Sequence, residues 1–204
     1  MINYLMLVVG ALIGMMPSEW VLKCFFLERD LNYVRSDGVS PADMVYNVKS
    51  PPFAFMILMD AFKGVLVVLL AQWIDGWTML PWLSLFSAAL AHNFNLIKGL
   101  RNGIGIMLIL GGISVLSPII VGVYVLFLFV FNFIFKDYET MLVLSTFAIP
   151  ASAIFIFDTL HQIVIGLMIL IMTVTYSTAH NRAMAQRLFK KEYIKNNPFY
   201  KIKE

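Results

Sequence analysis

The chain has 204 residues, 60% of them hydrophobic and only 13% charged, with a formal net charge of +3. Soluble domains carry about 25% charged residues, so a water-soluble globule is excluded as the first expectation. Most of the charges are also segregated into residues 19–49, 98–101, 136–139 and the tail from 180, with long apolar stretches between them. An integral all-α membrane protein is expected, since a helix needs about 20 apolar residues to cross a bilayer.

Seven spans are expected in chain order. The first covers about Ile2–Pro17 and is read as a retained span. It has no basic flank before it, and Glu19-Trp20 follows it rather than a small-residue cleavage site. The second is Pro52–Trp73 and the third Leu80–Ile97. Gly103–Phe135 is 33 residues of nearly unbroken apolar sequence, too long for one span. Ser117-Pro118 sits near its middle, and proline disfavours helix in the residue before it. The run therefore divides into two antiparallel spans, of which Gly103–Leu116 is short for a crossing. Met141–Phe157, which contains Pro150, and Leu160–Tyr176 complete the set, joined by a tight turn at Asp158-Thr159.

Lys and Arg concentrate on the cytoplasmic side of membrane proteins. Lys23, Arg29, Arg35 and Lys49 follow the first span, Lys98 and Arg101 the third, Lys136 the fifth, and seven basic residues from Arg182 the seventh. Seven spans place all of them on one side. The expected topology is amino terminus outside and carboxyl terminus in the cytoplasm. Trp73, Trp77 and Trp82 cluster at the outer end of spans two and three, as interfacial aromatics do. Residues 1–178 form one polytopic membrane domain, and 179–204 a basic, partly amphipathic cytoplasmic tail suited to anionic lipid. Nucleic acid is a poor partner, because the basic residues are accounted for by topology.

Asp60 and Lys63 lie inside span two, three residues apart and so on one helix face. A charge at mid-membrane costs roughly 2.5–3.5 kcal/mol on insertion scales. The pair is either a structural ion pair or part of a site. His92 and Asn93 lie near the cytoplasmic end of span three. Arg101-Asn102-Gly103-Ile104-Gly105 opens span four, where glycines and a helix start favour an anion. A tight membrane turn is the plainer reading of the same residues. Ser36, in the turn-rich first cytoplasmic loop, is either a substrate contact or a turn cap. No His/Cys/Asp/Glu group has metal-ligand spacing, the three histidines are scattered, and no cofactor fingerprint appears.

The order of these features resembles the bacterial acyl-phosphate:glycerol-3-phosphate acyltransferases, the PlsY family. Gly14-Met-Met-Pro17 resembles the family's first-span Gly-Ser-Ile-Pro, and Asp60-Ala-Phe-Lys-Gly64 nearly repeats its Asp-Ala-Leu-Lys-Gly. Ala91-His92-Asn93-Phe94 stands for Gly-His-x-Phe, and Arg101–Gly105 for Lys-Gly-Gly-Lys-Gly. The family serine falls on Ser36, and His180-Asn-Arg-Ala183 resembles its His-Arg-x-Asn. The resemblance implies a seven-span enzyme of the bacterial cytoplasmic membrane. It would move an acyl group from acyl-phosphate to glycerol 3-phosphate, making lysophosphatidic acid for phospholipid synthesis. It implies Ser36 and His92 as the catalytic pair. Arg101, Asn102, Gly103, Gly105, Lys49 and His180 would bind substrate and phosphate, with Asp60 and Lys63 in support and no cofactor or metal.

The sequence departs from the family at charged positions. Tyr46 stands where the first motif has arginine, with Lys49 three residues on; Ile104 replaces the loop lysine and Ala183 an asparagine. Each lost cation removes a charge-assisted hydrogen bond of about 1.5–3 kcal/mol. These losses favour an alternative, a non-catalytic relative that binds lipid or a partner membrane protein. Retention of Asp60, Lys63, His92 and the glycine loop favours the enzyme.

Overall fold

The computed structural model describes residues 2–18, 51–94, 105–135, 141 and 144–196. Among them are seven helices of nine residues or more: α1 Ile2–Met15, α2 Pro51–Asp75, α3 Leu80–Asn93, α4 Ile106–Leu116, α5 Pro118–Ile134, α6 Ala148–Ile156 and α7 Thr159–Asn196. They fall on the seven apolar stretches of the sequence. No strand occurs among the described residues.

Proline sets several of the helix starts. Pro51, Pro81 and Pro118 each lie in a first helical turn, where the missing N–H would have no intrahelical partner. Ser117, extended at φ −155°, ψ 89°, breaks the long apolar run into α4 and α5 as the Ser-Pro pair predicts. Pro150 lies inside the expected sixth span. It cannot donate to the carbonyl four residues back. The expected sixth span is accordingly interrupted by a turn at Phe147, after which the chain re-enters helix as α6. The seventh span does not stop at Tyr176. Its helix runs for 38 residues to Asn196, well into the basic tail.

Helix α3 is the centre of the bundle and packs against α1, α2, α4 and α7. Helix α2 packs chiefly on α4, α4 on α5, α5 on α6 and α6 on α7. The core they enclose includes Val67, Val68, Leu85, Leu108, Ile109, Ile113, Ile120, Ile149, Ile165 and Met168, all essentially without exposed surface. Glycines set the closest crossings. A Cβ on Gly14 would lie 2.1 Å from the Ala88 carbonyl oxygen, one on Gly64 1.9 Å from that of Leu108, and one on Gly111 2.1 Å from that of Ala61. Helices in lipid gain stability from such close backbone packing, because lipid tails supply no hydrophobic drive for association.

Many large apolar side chains lie on the outside of the bundle. On α5 only Ile120 and Tyr124 are buried, while Phe129, Phe133 and Ile134 are largely exposed. Phe155, Leu58 and Leu170 expose similar surfaces on other helices. Soluble monomers rarely expose contiguous apolar patches of this kind, and hydrocarbon is the solvent they suit. The α2 and α7 stretches Ala54–Asp75 and Thr159–Ser177 are long and apolar enough to cross a bilayer by themselves. Helix α4, at 11 residues, is only about 16 Å long.

One aromatic expectation is corrected. Trp73 and Trp77 are exposed, as an interfacial belt requires, but Trp82 is buried. It packs edge-on against Phe157, centroids 5.0 Å apart, and against His161 at 5.6 Å. Leu80 and Pro81 open α3, and Trp82 in that first turn packs into the α6–α7 junction. At the same junction Asp158 caps α7, accepting a hydrogen bond from the His161 backbone and pairing with its ring. The ring contact holds the Asp158 carboxyl below its usual range. A carboxyl with a depressed folded pKa stabilises above its unfolded pKa and loses that contribution as pH falls through the folded value. Asp158→Asn should therefore melt below wild type at neutral pH. The two curves should merge once the pH falls well below about 4, as circular dichroism in detergent can follow.

Candidate functional site

Asp60 and Lys63 lie on one face of α2 and do pair, Lys63 Nζ standing 2.8 Å from Asp60 Oδ1. The pair is not alone. Lys63 Nζ also donates to the Met16 carbonyl oxygen at 2.7 Å and to Ser18 Oγ at 2.5 Å, and Ser18 Oγ donates to Asp60 Oδ1 at 2.5 Å. An ammonium has three hydrogens, and each here has an acceptor. Lys63 and Ser18 are buried and Asp60 partly so. The cluster ties the end of α1 to α2. In this clamp all three hydrogens of Lys63 are engaged within the cluster.

The same five-residue motif has a second face. Ala61 and Gly64 meet α4 by direct backbone approach, through Gly111 and Leu108 respectively. Asp60-Ala-Phe-Lys-Gly64 thus carries two i,i+3 pairs, one polar toward α1 and one small toward α4. Its residue types follow from that geometry.

His92 and Asn93 are both buried at the last turn of α3. They face Gly105, the residue just before α4. A Cβ on Gly105 would stand 2.5 Å from Asn93 Oδ1 and 3.3 Å from His92 Cδ2. Gly105 has φ +69°, a left-handed conformation that L-residues adopt only with strain. Glycine is thus required there twice, by its dihedral angle and by lack of space. Gly105→Ala should cost about 1–3 kcal/mol from strain alone. Unfolding in mixed detergent micelles would measure it, with Gly166→Ala, whose Cβ meets nothing within 4 Å, as the control.

The structure therefore pairs Asp60 with Lys63, joined by Ser18 and Met16, and sets His92 and Asn93 against Gly105. Ser36, Lys49, Arg101, Asn102 and Gly103 lie outside the described residues, as do Tyr46 and Ile104. His180 falls on the backbone of α7, beyond the residues whose side chains are described. Among the described residues, no group of three or more His, Cys, Asp or Glu is placed to hold a metal ion. Ser18 is the residue that sequence reading passed over. The signal available was a serine directly after the span-ending Pro17, next to a motif that resembles the family's.

Proteins similar to this chain in sequence or fold carry acyltransferase names. Over about seven-tenths of both chains, the sequence is 28% identical to a protein named glycerol-3-phosphate acyltransferase from Anaplasma marginale (strain Florida). It is 29% identical over 115 residues, 56% of this chain and 59% of the other, to glycerol-3-phosphate acyltransferase 2 of Moorella thermoacetica. The fold matches the crystal structure of PlsY, an integral membrane glycerol 3-phosphate acyltransferase, in its glycerol 3-phosphate form. That match has a TM-score of 0.69 and 16% identity over 92% of each chain. The lysophosphatidic acid form of PlsY matches with a TM-score of 0.72 at 14% identity, covering 91% of this chain and 93% of that one. Residues 4–191 match the family model described as glycerol-3-phosphate acyltransferase, nearly the whole chain, and the protein belongs to that family.

Proposed function

We propose that this protein is a multi-pass enzyme of the bacterial cytoplasmic membrane that transfers a fatty acyl group from acyl-phosphate to glycerol 3-phosphate. The observation that carries the reading is the cluster formed where the end of α1, the Asp60–Lys63 segment of α2, the last turn of α3 and the start of α4 meet. It sits within a chain of the glycerol-3-phosphate acyltransferase family. The chain passes the membrane seven times with its amino terminus outside. The clamp, His92 and Gly105 then lie toward the cytoplasm, where a soluble glycerol 3-phosphate arrives, and residues 179–204 form a basic cytoplasmic tail on anionic lipid.

In the reaction a glycerol 3-phosphate hydroxyl attacks the acyl carbonyl carbon. A new ester C–O bond forms, the acyl–oxygen bond to phosphate breaks, and phosphate leaves with the electron pair. The hydroxyl proton is passed on, and His92 is the described side chain suited to guide it. Ser36 positions substrate. Arg101, with the backbone donors of Asn102–Gly105, holds phosphate at the start of α4, where helix geometry favours an anion. Arg101 suits this through its planar, always-charged fork. Lys49 and His180 supply further donors, and Lys49 stands in for the arginine that Tyr46 replaces. Asp60, Lys63 and Ser18 touch no substrate; they hold α1 and α2 in the arrangement that His92 and Gly105 require.

A second reading is favoured by Tyr46 and Ile104, which stand at two positions where the resembled motifs carry cations. In it the chain keeps the fold and binds a lipid or a partner membrane protein without turnover. The two separate in a phosphate-release assay on purified protein given palmitoyl-phosphate and glycerol 3-phosphate. Release that falls by at least about 100-fold in a Ser36→Ala, His92→Ala variant, the range of a lost general acid–base group, supports the enzyme. No release above that variant, from folded protein, supports the non-catalytic reading.

A further inference from the structure

At the far end of α2 from the clamp, the chain encloses a separate open cavity of about 390 Å³. Tyr4 and Leu7 of α1, Asp75 at the end of α2, and Thr78, Met79, Leu80 and Leu83 at the start of α3 line it. Asp60 and Asp75 are 15 residues apart on one helix, so about 22 Å separates this cavity from the clamp.

Its chemistry is amphipathic and its polar end is acidic. Thr78 Oγ1 donates to Asp75 Oδ2 at 2.7 Å and accepts weakly from the Leu80 N–H at 3.3 Å. That pairing fixes the carboxylate and engages one of its two oxygens. The carboxylate stands at the C-terminus of α2, the negative end of the helix dipole. No Lys or Arg occurs from Ile2 to Ser18 or from Gly64 to Ile97, the segments that build the cavity. Leu7 and Leu83 each lie one helical turn further along than Tyr4 and Leu80, and they continue the lining as an apolar track. Trp73 and Trp77, both strongly exposed at this end, mark the level at which aromatic rings meet lipid headgroups.

A fixed carboxylate at headgroup level above an apolar track calls for a ligand with a cationic head and a hydrocarbon body. We propose that this cavity binds an amine-headed phospholipid of the phosphatidylethanolamine class. The ammonium is held by Asp75 and the glycerol end of the acyl chains lies along Leu7 and Leu83. The inference rests on the membrane reading of the fold but not on acyl transfer, and its test reads binding alone.

The test is native mass spectrometry of the full chain in detergent, with dioleoyl phosphatidylethanolamine or dioleoyl phosphatidylglycerol added at equal concentration. The amine lipid should be retained about tenfold over the anionic one, the scale of one charge-assisted hydrogen bond. Asp75→Asn should abolish the preference, while Asp158→Asn, at the α6–α7 junction, should leave it intact. Equal retention of both lipids, or a preference that survives Asp75→Asn, overturns the proposal. So does a preference that appears only after acetylation of the chain's amino terminus, which would make that terminus the native occupant of the cavity.

Discussion

Lys63→Met should be among the most damaging substitutions in the chain, costing about 3–5 kcal/mol. The expectation follows from what is left behind. Removing the ammonium strands the Asp60 carboxylate between two helices with only the Ser18 hydroxyl as donor among the described clamp contacts, and it frees the Met16 carbonyl that fixes the end of α1. A buried charge without its partner costs far more than the pair was worth. Asp60→Asn in the Lys63→Met background should therefore recover much of the loss, since it removes the stranded charge. Unfolding in mixed micelles measures all three variants. A double variant as unstable as Lys63→Met alone would show that the stranded charge is not the cause.

Gly64→Ala should be comparably severe for a different reason. The added Cβ would sit 1.9 Å from the Leu108 carbonyl oxygen and 2.8 Å from the Gly112 nitrogen. Both obstacles are backbone, so relief requires α2 and α4 to move apart rather than a side chain to turn. Overpacking of a core typically costs 1–3 kcal/mol and sometimes more, and a backbone clash lies at or above the top of that range. The displacement would also pull α4 and Gly105 away from His92, so the variant should lose the site along with the fold. Gly122→Ala, with open space around its Cβ, should be close to neutral in the same measurement. Equal melting of the two variants would contradict the described α2–α4 crossing.

Much of the helical order is legible in the sequence. Apolar runs and the prolines at 51, 81 and 118 mark where helices begin. Ser117-Pro118 marks a break that hydropathy alone would miss. The end of α7 was not read, because hydropathy drops at the membrane surface while helix formation need not. From Leu167 to Asn197 the sequence contains neither glycine nor proline, and Pro198 follows; the helix continues to Asn196. Trp82 was misplaced because proximity in sequence to Trp73 and Trp77 says nothing about which way a side chain faces at the start of a new helix.

The site was legible in part. Asp60 and Lys63 stand out as charges in apolar sequence, and their spacing predicts the shared face. Their third partner, Ser18, does not, since a serine after a proline has many uses. Its role exists only once α1 and α2 are placed side by side. The double demand on Gly105 is likewise a property of its neighbours: the sequence shows a glycine-rich loop, whereas the reason for glycine at 105 is Asn93 and His92 pressing against it.

The central claim is acyl transfer, and product stoichiometry tests it most directly. Purified protein given palmitoyl-phosphate and glycerol 3-phosphate should form one lysophosphatidic acid for each phosphate released, and neither product should accumulate without the other. Phosphate release without lysophosphatidic acid would mean that water, not the glycerol hydroxyl, is the acceptor. That result, or the absence of both products from folded protein, would contradict the account.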